Sequence, residues 1–389
     1  MEFTYSALHK VIFSEPAEVA LPRLLQEYGY QRPFLVASKS LATATAELEG
    51  LREALPLGIA GLSTGVSAHT PREDALALLD RVRSSNADVI VSIGGGSVID
   101  ACKFVQLAME QDLHAESDLL EYAQQGDGSR GGKHGDFGLF SAAAAIRQIA
   151  IPTTLSGAEF SNNAGILNTQ TGSKEGYKGP HLCPQAILYD PILAAHTPQW
   201  LWLSTSIRSL DHAVEGYCSG HSTPFLDGHF LHAMRLFSES LPTVKESLSD
   251  AVALNENQQA VWLACCGLGT VPHGASHGIG YILGSLCGVP HGYTSCVMLP
   301  AVLEWNQSEL QAQMSSIAAA MGRPTAPAHA VVKKLIASLG LPKTLREVNV
   351  PRSKLDEIAE RAFKHPVVKR NPRAILSVDD VLQILELAW

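Results

Sequence analysis

The sequence predicts an α/β domain followed by an all-helical domain, and three observations support this fold class. The chain has 389 residues, which is enough for two domains and a large core. Strand-like and helix-like segments alternate in its first third, as expected for a parallel sheet covered by helices. From about residue 190 onward, apolar residues recur mainly at helical spacing. We therefore expect the two domains to span residues 1–175 and 176–389.

The individual elements follow from local composition. Short apolar runs predict strands, and Pro with acidic residues in the first turn predicts a helix at 71–84. Residues 111–137 interrupt the alternation, and their Gly-rich part predicts a loop that acts as a lid or an insertion. The predicted strands are 33–38, 87–93 and 149–151. The helical patterns of the second domain are 206–218, 227–240, 257–268, 310–321, 327–338, 353–363 and 378–388.

The composition excludes several classes of function. The chain is 46% hydrophobic and carries a formal net charge of −9, so it is not built to coat nucleic acid or an anionic membrane. We expect no secretory signal and no membrane span. The seven cysteines form no paired motif, and Cys265 and Cys266 are adjacent. This pattern favours buried free thiols in a reducing compartment, the cytoplasm.

A glycine triplet lies between a predicted strand and a predicted helix. Strand 87–93 runs directly into Gly94, Gly95, Gly96 and Ser97. Glycines let the backbone approach a bulky anion, Ser97 could cap the helix, and free N–H groups at a helix start attract phosphate. The triplet could also be a plain tight turn, but its position between a strand and a helix favours a site for the phosphates of a dinucleotide. We therefore expect the first domain to be a dinucleotide-binding domain.

A second polar segment follows the strand at 149–151. Thr153, Thr154 and Ser156 offer hydroxyl groups next to a glycine, and such groups can bond a ribose or a phosphate. Composition alone favours the interpretation of this segment as a hydroxyl-rich turn that caps the next helix.

These motifs resemble those of the iron-type alcohol dehydrogenases. The run GGGSVIDACK, residues 94–103, is similar to the family signature GGGSxxDxxK, with Asp100 and Lys103 at its acidic and basic positions. The Pro-Thr-Thr segment at 152–154, with its short spacing to Gly157, looks like the maleylacetate reductase branch. The resemblance implies a dehydroquinate synthase-like architecture, NAD(P)H as cofactor, and a pyrophosphate held by the glycine turn.

The same resemblance implies a metal site built from one Asp and three His. His212 matches the first His, and His277 and His291 match the other two at a spacing of fourteen residues. The acidic position, however, holds Arg208. A guanidinium has no lone pair and would repel a divalent cation. We therefore expect bound iron or zinc in well under one equivalent. Asp211, adjacent to His212, should point away from the site.

Arg208 and Tyr281 suggest other chemistry. An arginine in an active-site cleft can hold a carboxylate through two hydrogen bonds, and maleylacetate carries two carboxylates. In the alternative interpretation, Arg208 folds outward and pairs with Asp211 or Glu215. Tyr281 stands where the family has a further His, and its hydroxyl could donate a proton.

Together, these observations predict an NAD(P)-dependent oxidoreductase that acts on a small molecule in a cleft between the domains. Ser38, at the end of the first predicted strand, replaces an Asp of many relatives and should allow NADPH as well as NADH. The alternatives are a metal-dependent alcohol dehydrogenase or aldehyde reductase, a dehydroquinate synthase-like lyase, and a non-catalytic nucleotide-binding protein. We expect a homo-oligomer, with a dimer preferred, and no nucleic-acid partner.

Overall fold

The computed structural model describes residues 5–44, 46–114, 116–125, 129–134 and 146–389. Two compact units divide the chain: the first ends at Thr197, and the second is Pro198–Trp389. The first unit thus extends beyond residue 175, where the sequence predicted the boundary. The reason is that a buried apolar run, Ala186–Tyr189, still belongs to its sheet.

Strands and helices alternate in the first unit. Its strands are β1 (Lys10–Phe13), β2 (Pro33–Ala37), β3 (Gly61–Ser63), β4 (Val89–Gly94), β5 (Ala123–Gln124), β6 (Arg147–Pro152), β7 (Asn163–Asn168), β8 (Ser173–Lys178) and β9 (Ala186–Tyr189). Its helices are α1 (Ala17–Tyr28), α2 (Lys39–Ala44), α3 (Glu47–Glu53), α4 (Arg72–Ser85), α5 (Gly96–Glu110), α6 (Glu116–Tyr122) and α7 (Pro191–Ala194).

A six-stranded parallel sheet in the order β1-β9-β6-β4-β2-β3 forms the centre of this unit. Every residue of β2, β4 and β9 is buried, as expected for parallel strands covered on both faces. The other three strands form a small antiparallel sheet in the order β5-β8-β7. The predicted strands and the helix at 71–84 are confirmed.

The interruption at 111–137 is more structured than the sequence predicted. It contains α6 and β5, and β5 pairs with β8. Leu119, Tyr122 and Ala123 are buried in the same core cluster as residues of α5, so their burial accounts for the order. Residues 126–128 and 135–137 lie outside the described part of the chain.

The second unit is helical, which confirms the predicted fold class. Its helices are α8 (Gln199–Cys218), α9 (Pro224–Glu246), α10 (Ala251–Cys265), α11 (Ala275–Cys287), α12 (His291–Asn306), α13 (Gln311–Ala320), α14 (Ala328–Ser338), α15 (Leu355–Lys364) and α16 (Val378–Leu387). Residues of α11, α12, α15 and α16 share one core cluster. The sequence patterns missed α11 and α12 because glycines interrupt the first and Pro300 lies inside the second.

All seven cysteines are free thiols, as predicted. Among the described residues, no helix combines the length and the apolar character that crossing a bilayer requires.

Candidate active site

Three candidate cofactor residues meet at one edge of the parallel sheet. Ser38, Gly94 and Thr153 lie at the carboxyl ends of β2, β4 and β6, which are neighbours in the sheet. The backbone N–H of Ser38 donates to Ile93 O at 2.9 Å, and that of Thr153 donates to Gly94 O at 3.0 Å. The strand order reverses between β2 and β4, and ligands of open α/β sheets bind at such a point.

The glycine turn packs so closely against neighbouring side chains that a Cβ on any of its glycines would crowd them. Gly94 has a φ of 156°, and a Cβ on Gly96 would lie 3.0 Å from Ser156 Oγ. A Cβ on Gly95 would lie 3.1 Å from the methyl group of Thr154. The hydroxyl of Ser156 is buried and has no hydrogen-bond partner in the described part of the chain. A turn without side chains, an unpartnered hydroxyl and a helix N-terminus fit the phosphates of a dinucleotide.

Ser97 does not cap α5, contrary to the sequence prediction. Gly95 occupies the N-cap position, so Ser97 lies within the first helical turn. Its Oγ instead accepts a hydrogen bond from the backbone N–H of His69 at 3.0 Å. Ser97 therefore ties the turn to the loop before α4.

Asp100 and Lys103, which the resemblance placed at the cofactor, have partners within the protein. Lys103 is 0% exposed and donates to the carbonyls of Ala158 and Asn163, the latter at 3.0 Å. Asp100 Oδ2 accepts from the backbone N–H of Gly165 at 3.1 Å. Both side chains thus hold α5 against the segment that follows the Pro-Thr-Thr turn.

A buried carboxyl in that segment escaped the sequence analysis. Glu159 is 0% exposed, and its Oε1 accepts from the Tyr189 hydroxyl at 2.5 Å. Burial raises the pKa of Glu159 to about 7. A buried acid in a short 3-10 turn has no periodic signal that sequence reasoning could use.

Three imidazoles converge in the second unit. His212 Nδ1 lies 2.9 Å from His273 Nε2 and 3.0 Å from His277 Nε2. His212 comes from α8, His277 from α11, and His273 from the loop before α11. The structure thus brings together two of the predicted histidines. His291, at the start of α12, is not part of this cluster, and His273 takes the third place. The spacing of four residues between His273 and His277 was a signal that the sequence analysis overlooked.

Glu215 organises the cluster from the far side of His277. Its Oε2 lies 2.8 Å from His277 Nδ1, and its carboxylate accepts the backbone N–H groups of Gly274 and Ser276 at 3.0 and 2.8 Å. It therefore satisfies N–H groups at the start of α11 and orients the His277 ring. Burial and, second, the nearby Asp211 raise the pKa of Glu215 to about 8.

Arg208 does not fold outward, and it pairs directly with no acid among the described residues. It is only 8% exposed, and its Nη1 donates to Ser295 Oγ at 3.1 Å. Ser295 Oγ in turn donates to Asp211 Oδ2 at 2.7 Å. The guanidinium carbon lies 5.7 Å from the centre of the Tyr281 ring, which is cation–π distance. Arg208 is therefore fixed inside the site.

Asp211 lies behind His277, away from the point where the three imidazoles meet. Its Oδ2 is 3.5 Å from His277 Nδ1 and accepts a hydrogen bond from Ser276 Oγ at 2.7 Å. Burial raises the pKa of Asp211 to about 6, and Arg208 opposes this rise. The sequence prediction that Asp211 is not a direct substitute for the missing acid agrees with this position.

Two of the imidazoles, those of His273 and His277, are neutral at pH 7. Burial and, second, the charge of Arg208 lower the pKa of His273 to about 3. The pKa of His277 is also well below its ordinary value, again because of burial and then Arg208. These two rings therefore carry lone pairs for a cation or accept hydrogen bonds.

The side chains do not fit the set of one Asp and three His that the resemblance implies. Arg208 stands in the acidic position and offers no lone pair, and His291 is outside the cluster.

Comparison with known proteins covers both units. The model of iron-containing alcohol dehydrogenases matches residues 9–191, and that of the C-terminal region of this family matches residues 202–389. Dehydrogenase ALT3 of Alternaria alternata is 32% identical, over 93% of this chain and 100% of its own. Maleylacetate reductase 1 of Rhodococcus opacus is 27% identical, over 98% of this chain and 94% of its own. The crystal structure of a 1,3-propanediol oxidoreductase matches with a TM-score of 0.86 at 25% identity and covers 100% of both chains.

Proposed function

The chain belongs to the iron-containing alcohol dehydrogenase family, and from this premise we propose that it reduces a carboxylate-bearing substrate with NAD(P)H. The family makes it a dehydrogenase or reductase, and the cofactor supplies the hydride. The acceptor would be a carbonyl carbon or an activated double bond, with maleylacetate as one example.

The first unit would hold the cofactor. Gly94–Gly96 and Ser156 would receive the pyrophosphate, since a Cβ on Gly96 would occupy the space beside the unpartnered Ser156 hydroxyl. Thr153 and Thr154 follow the adjacent strand, and Ser38 follows β2 on the other side. We assign Asp100 and Lys103 to the support of this turn, because their polar groups already contact protein atoms.

The position of Arg208 is the observation that carries the substrate proposal. A guanidinium that is 8% exposed and fixed by Ser295 and Tyr281 is pre-organised to bind a carboxylate. Binding an anion there would also help to neutralise a buried positive charge. A neutral aldehyde or alcohol could accept a hydrogen bond from this residue but would gain no charge pairing.

Tyr281 is the candidate proton donor after hydride transfer. Its side chain is 37% exposed, and its ring centre lies 6.4 Å from that of His277. A phenol can give a proton to a developing alkoxide or carbanion when a hydrogen-bonded group replaces the proton. His212 and His277 would shape the same end of the substrate.

The test compares acids with their methyl esters. Purified protein is mixed with NADH or NADPH and a panel of keto acids, unsaturated keto acids, their methyl esters and simple aldehydes, and the loss of cofactor absorbance is followed. We expect turnover with kcat/KM higher for an acid than for its ester. Faster turnover of aldehydes, with esters equal to acids, would instead identify a metal-dependent aldehyde reductase, which the converging imidazoles favour as the second candidate. Absence of turnover with the whole panel would favour a lyase or a non-catalytic protein.

Two further properties are part of the proposal. Seven free thiols favour a reducing compartment, and we place the protein in the cytoplasm. We also propose that it is a homo-oligomer, which light scattering of the purified protein would test.

A further inference from the structure

We infer that Ser295 is a positioning residue for substrate binding: its hydroxyl group stands between Arg208 and Asp211 and keeps the guanidinium available to a carboxylate. The inference rests on the proposed function, because it concerns how Arg208 stays ready to bind an acidic substrate. Ser295 lies on α12 and is 0% exposed, so solvent does not compete for its hydroxyl group.

The partners of Ser295 fix the direction of its two hydrogen bonds. A guanidinium can only donate, so Ser295 Oγ accepts from Arg208 Nη1, at 3.1 Å. A serine hydroxyl has a single hydrogen, and Ser295 gives it to Asp211 Oδ2 at 2.7 Å. The hydroxyl group therefore connects the cation to the anion and at the same time holds the two apart.

Without Ser295, Asp211 would compete with a substrate for Arg208. The two residues are three positions apart on α8, and side chains at this spacing are neighbours on a helix surface. Asp211 Oδ1 is buried and has no hydrogen-bond partner in the described part of the chain, so a donor there would be favourable. A direct ion pair would then occupy the guanidinium with an anion of the protein itself.

The close packing of α8 against α12 sets the position of Ser295. A Cβ on Gly292 would lie 2.6 Å from Ser204 Oγ, so the two helices meet there with no side chain from α12 between them. Arg208 and Ser295 follow Ser204 and Gly292 by one helical turn. Their contact is therefore held by the same approach of the two helices.

The remaining N–H groups of Arg208 can meet a ligand. Among the described residues, Ser295 is the only hydrogen-bond acceptor for this guanidinium. On the side of α11, a Cβ on Gly280 would lie 3.9 Å from Arg208 Nη1, and the ring of Tyr281 makes the cation–π contact. Neither of these neighbours takes up a planar pair of N–H groups, which a carboxylate can bind through both of its oxygens.

The ratio of kcat/KM for a keto acid to that for its methyl ester tests this inference in matched variants. Ser295→Ala should lower the ratio about tenfold, because the guanidinium then pairs with Asp211. Ser295→Thr keeps a hydroxyl group and should retain the ratio of the wild type. Ser276→Ala is the matched control: Ser276 Oγ also donates to Asp211 Oδ2 at 2.7 Å but accepts no hydrogen bond from Arg208, so its loss should leave the ratio unchanged.

Two further measurements separate positioning from a general loss of structure. The double variant Ser295→Ala/Asp211→Asn should regain preference for the acid, because a neutral amide competes only weakly for the guanidinium. A crystal structure of Ser295→Ala should show the guanidinium in direct contact with Asp211. If the melting temperature shows that Ser295→Ala is poorly folded, Ser295→Cys replaces it, since a thiol fills the space but accepts hydrogen bonds weakly.

The inference is overturned if Ser295→Ala keeps the ratio of the wild type, or if its crystal structure shows the guanidinium unmoved. Loss of acid preference in Arg208→Ala but not in Ser295→Ala would contradict this inference alone and leave the proposed function in place. A wild type that does not prefer the acid to its ester would refute both.

Discussion

Replacing Arg208 with alanine should remove the preference for acidic substrates. The guanidinium is 8% exposed, so solvent screens it little. Two unit charges about 4 Å apart attract by about 4 kcal/mol at an effective dielectric of 20. Desolvation and the existing bond to Ser295 reduce this value, so we expect a loss of about 2–4 kcal/mol of transition-state stabilisation. This corresponds to a fall of roughly 30- to 1,000-fold in kcat/KM.

The assay is the ratio of kcat/KM for a keto acid to that for its methyl ester. Arg208→Ala also disturbs the imidazole cluster and Asp211, and this disturbance slows both substrates alike. The ratio therefore reports only the loss of kcat/KM that depends on the carboxylate of the substrate. Arg208→Lys is the control: it keeps the charge but loses the planar fork, so its ratio should be intermediate. An equal fall for acid and ester in Arg208→Ala would refute the assignment of Arg208 to the substrate.

Three further predictions concern the first unit. Ser38 should allow both cofactors, with kcat/KM for NADPH within about a thousandfold of that for NADH. Ser38→Asp should make the enzyme strict for NADH. A wild type that is already strict for NADH would contradict this prediction. Gly96→Ala places a methyl group 3.0 Å from Ser156 Oγ and should raise the KM for NADH roughly tenfold or more. An unchanged melting temperature would show that the variant is folded. An unchanged KM would mean that the phosphates bind elsewhere. Burial raises the pKa of Glu159 to about 7, so the folded state binds the extra proton, and stability should fall as the pH rises from the ordinary range of a glutamate to about 7. Glu159→Gln should abolish this fall. The unfolding free energy of the variant minus that of the wild type, measured in urea, should therefore be larger at about pH 8 than at about pH 5. An equal difference at both pH values would show that Lys103 keeps the carboxylate ionised.

The sequence was sufficient for the glycine turn of the first unit because the signals of that turn are local. The run 87–96 contains a strand, a glycine turn and the start of a helix within ten residues, and the structure confirms all three. The neighbouring positions of Ser38, Gly94 and Thr153 follow from the parallel sheet. The contacts of Asp100 and Lys103 could not be predicted in this way. The sequence of one helical turn is the same whether its side chains face solvent or contact Ala158 and Asn163.

The second unit shows where sequence reasoning stops. His212 and His277 were found because their spacing matches a known motif. Glu215 was found only as a hypothetical partner of Arg208, although it orients His277. His273 was missed although it stands four residues before His277, and its approach to His212 depends on tertiary packing that no local pattern reports. The charge balance of the cluster likewise depends on burial, which no local pattern reports.

The rate at which the buried amine of Lys103 is chemically modified would measure how often the first unit opens locally. An acylating reagent modifies only an accessible, uncharged amine, and this one is 0% exposed and enclosed by acceptors from the segment 158–163. Its labelling must therefore wait until α5 separates from that segment. The appearance of the modified peptide in a mass spectrum would time this opening, while exposed lysines of the same molecule record the intrinsic speed of the reagent. A dinucleotide that binds at the start of α5 should slow the labelling of Lys103. One labelling experiment would therefore report on both local unfolding and cofactor occupancy.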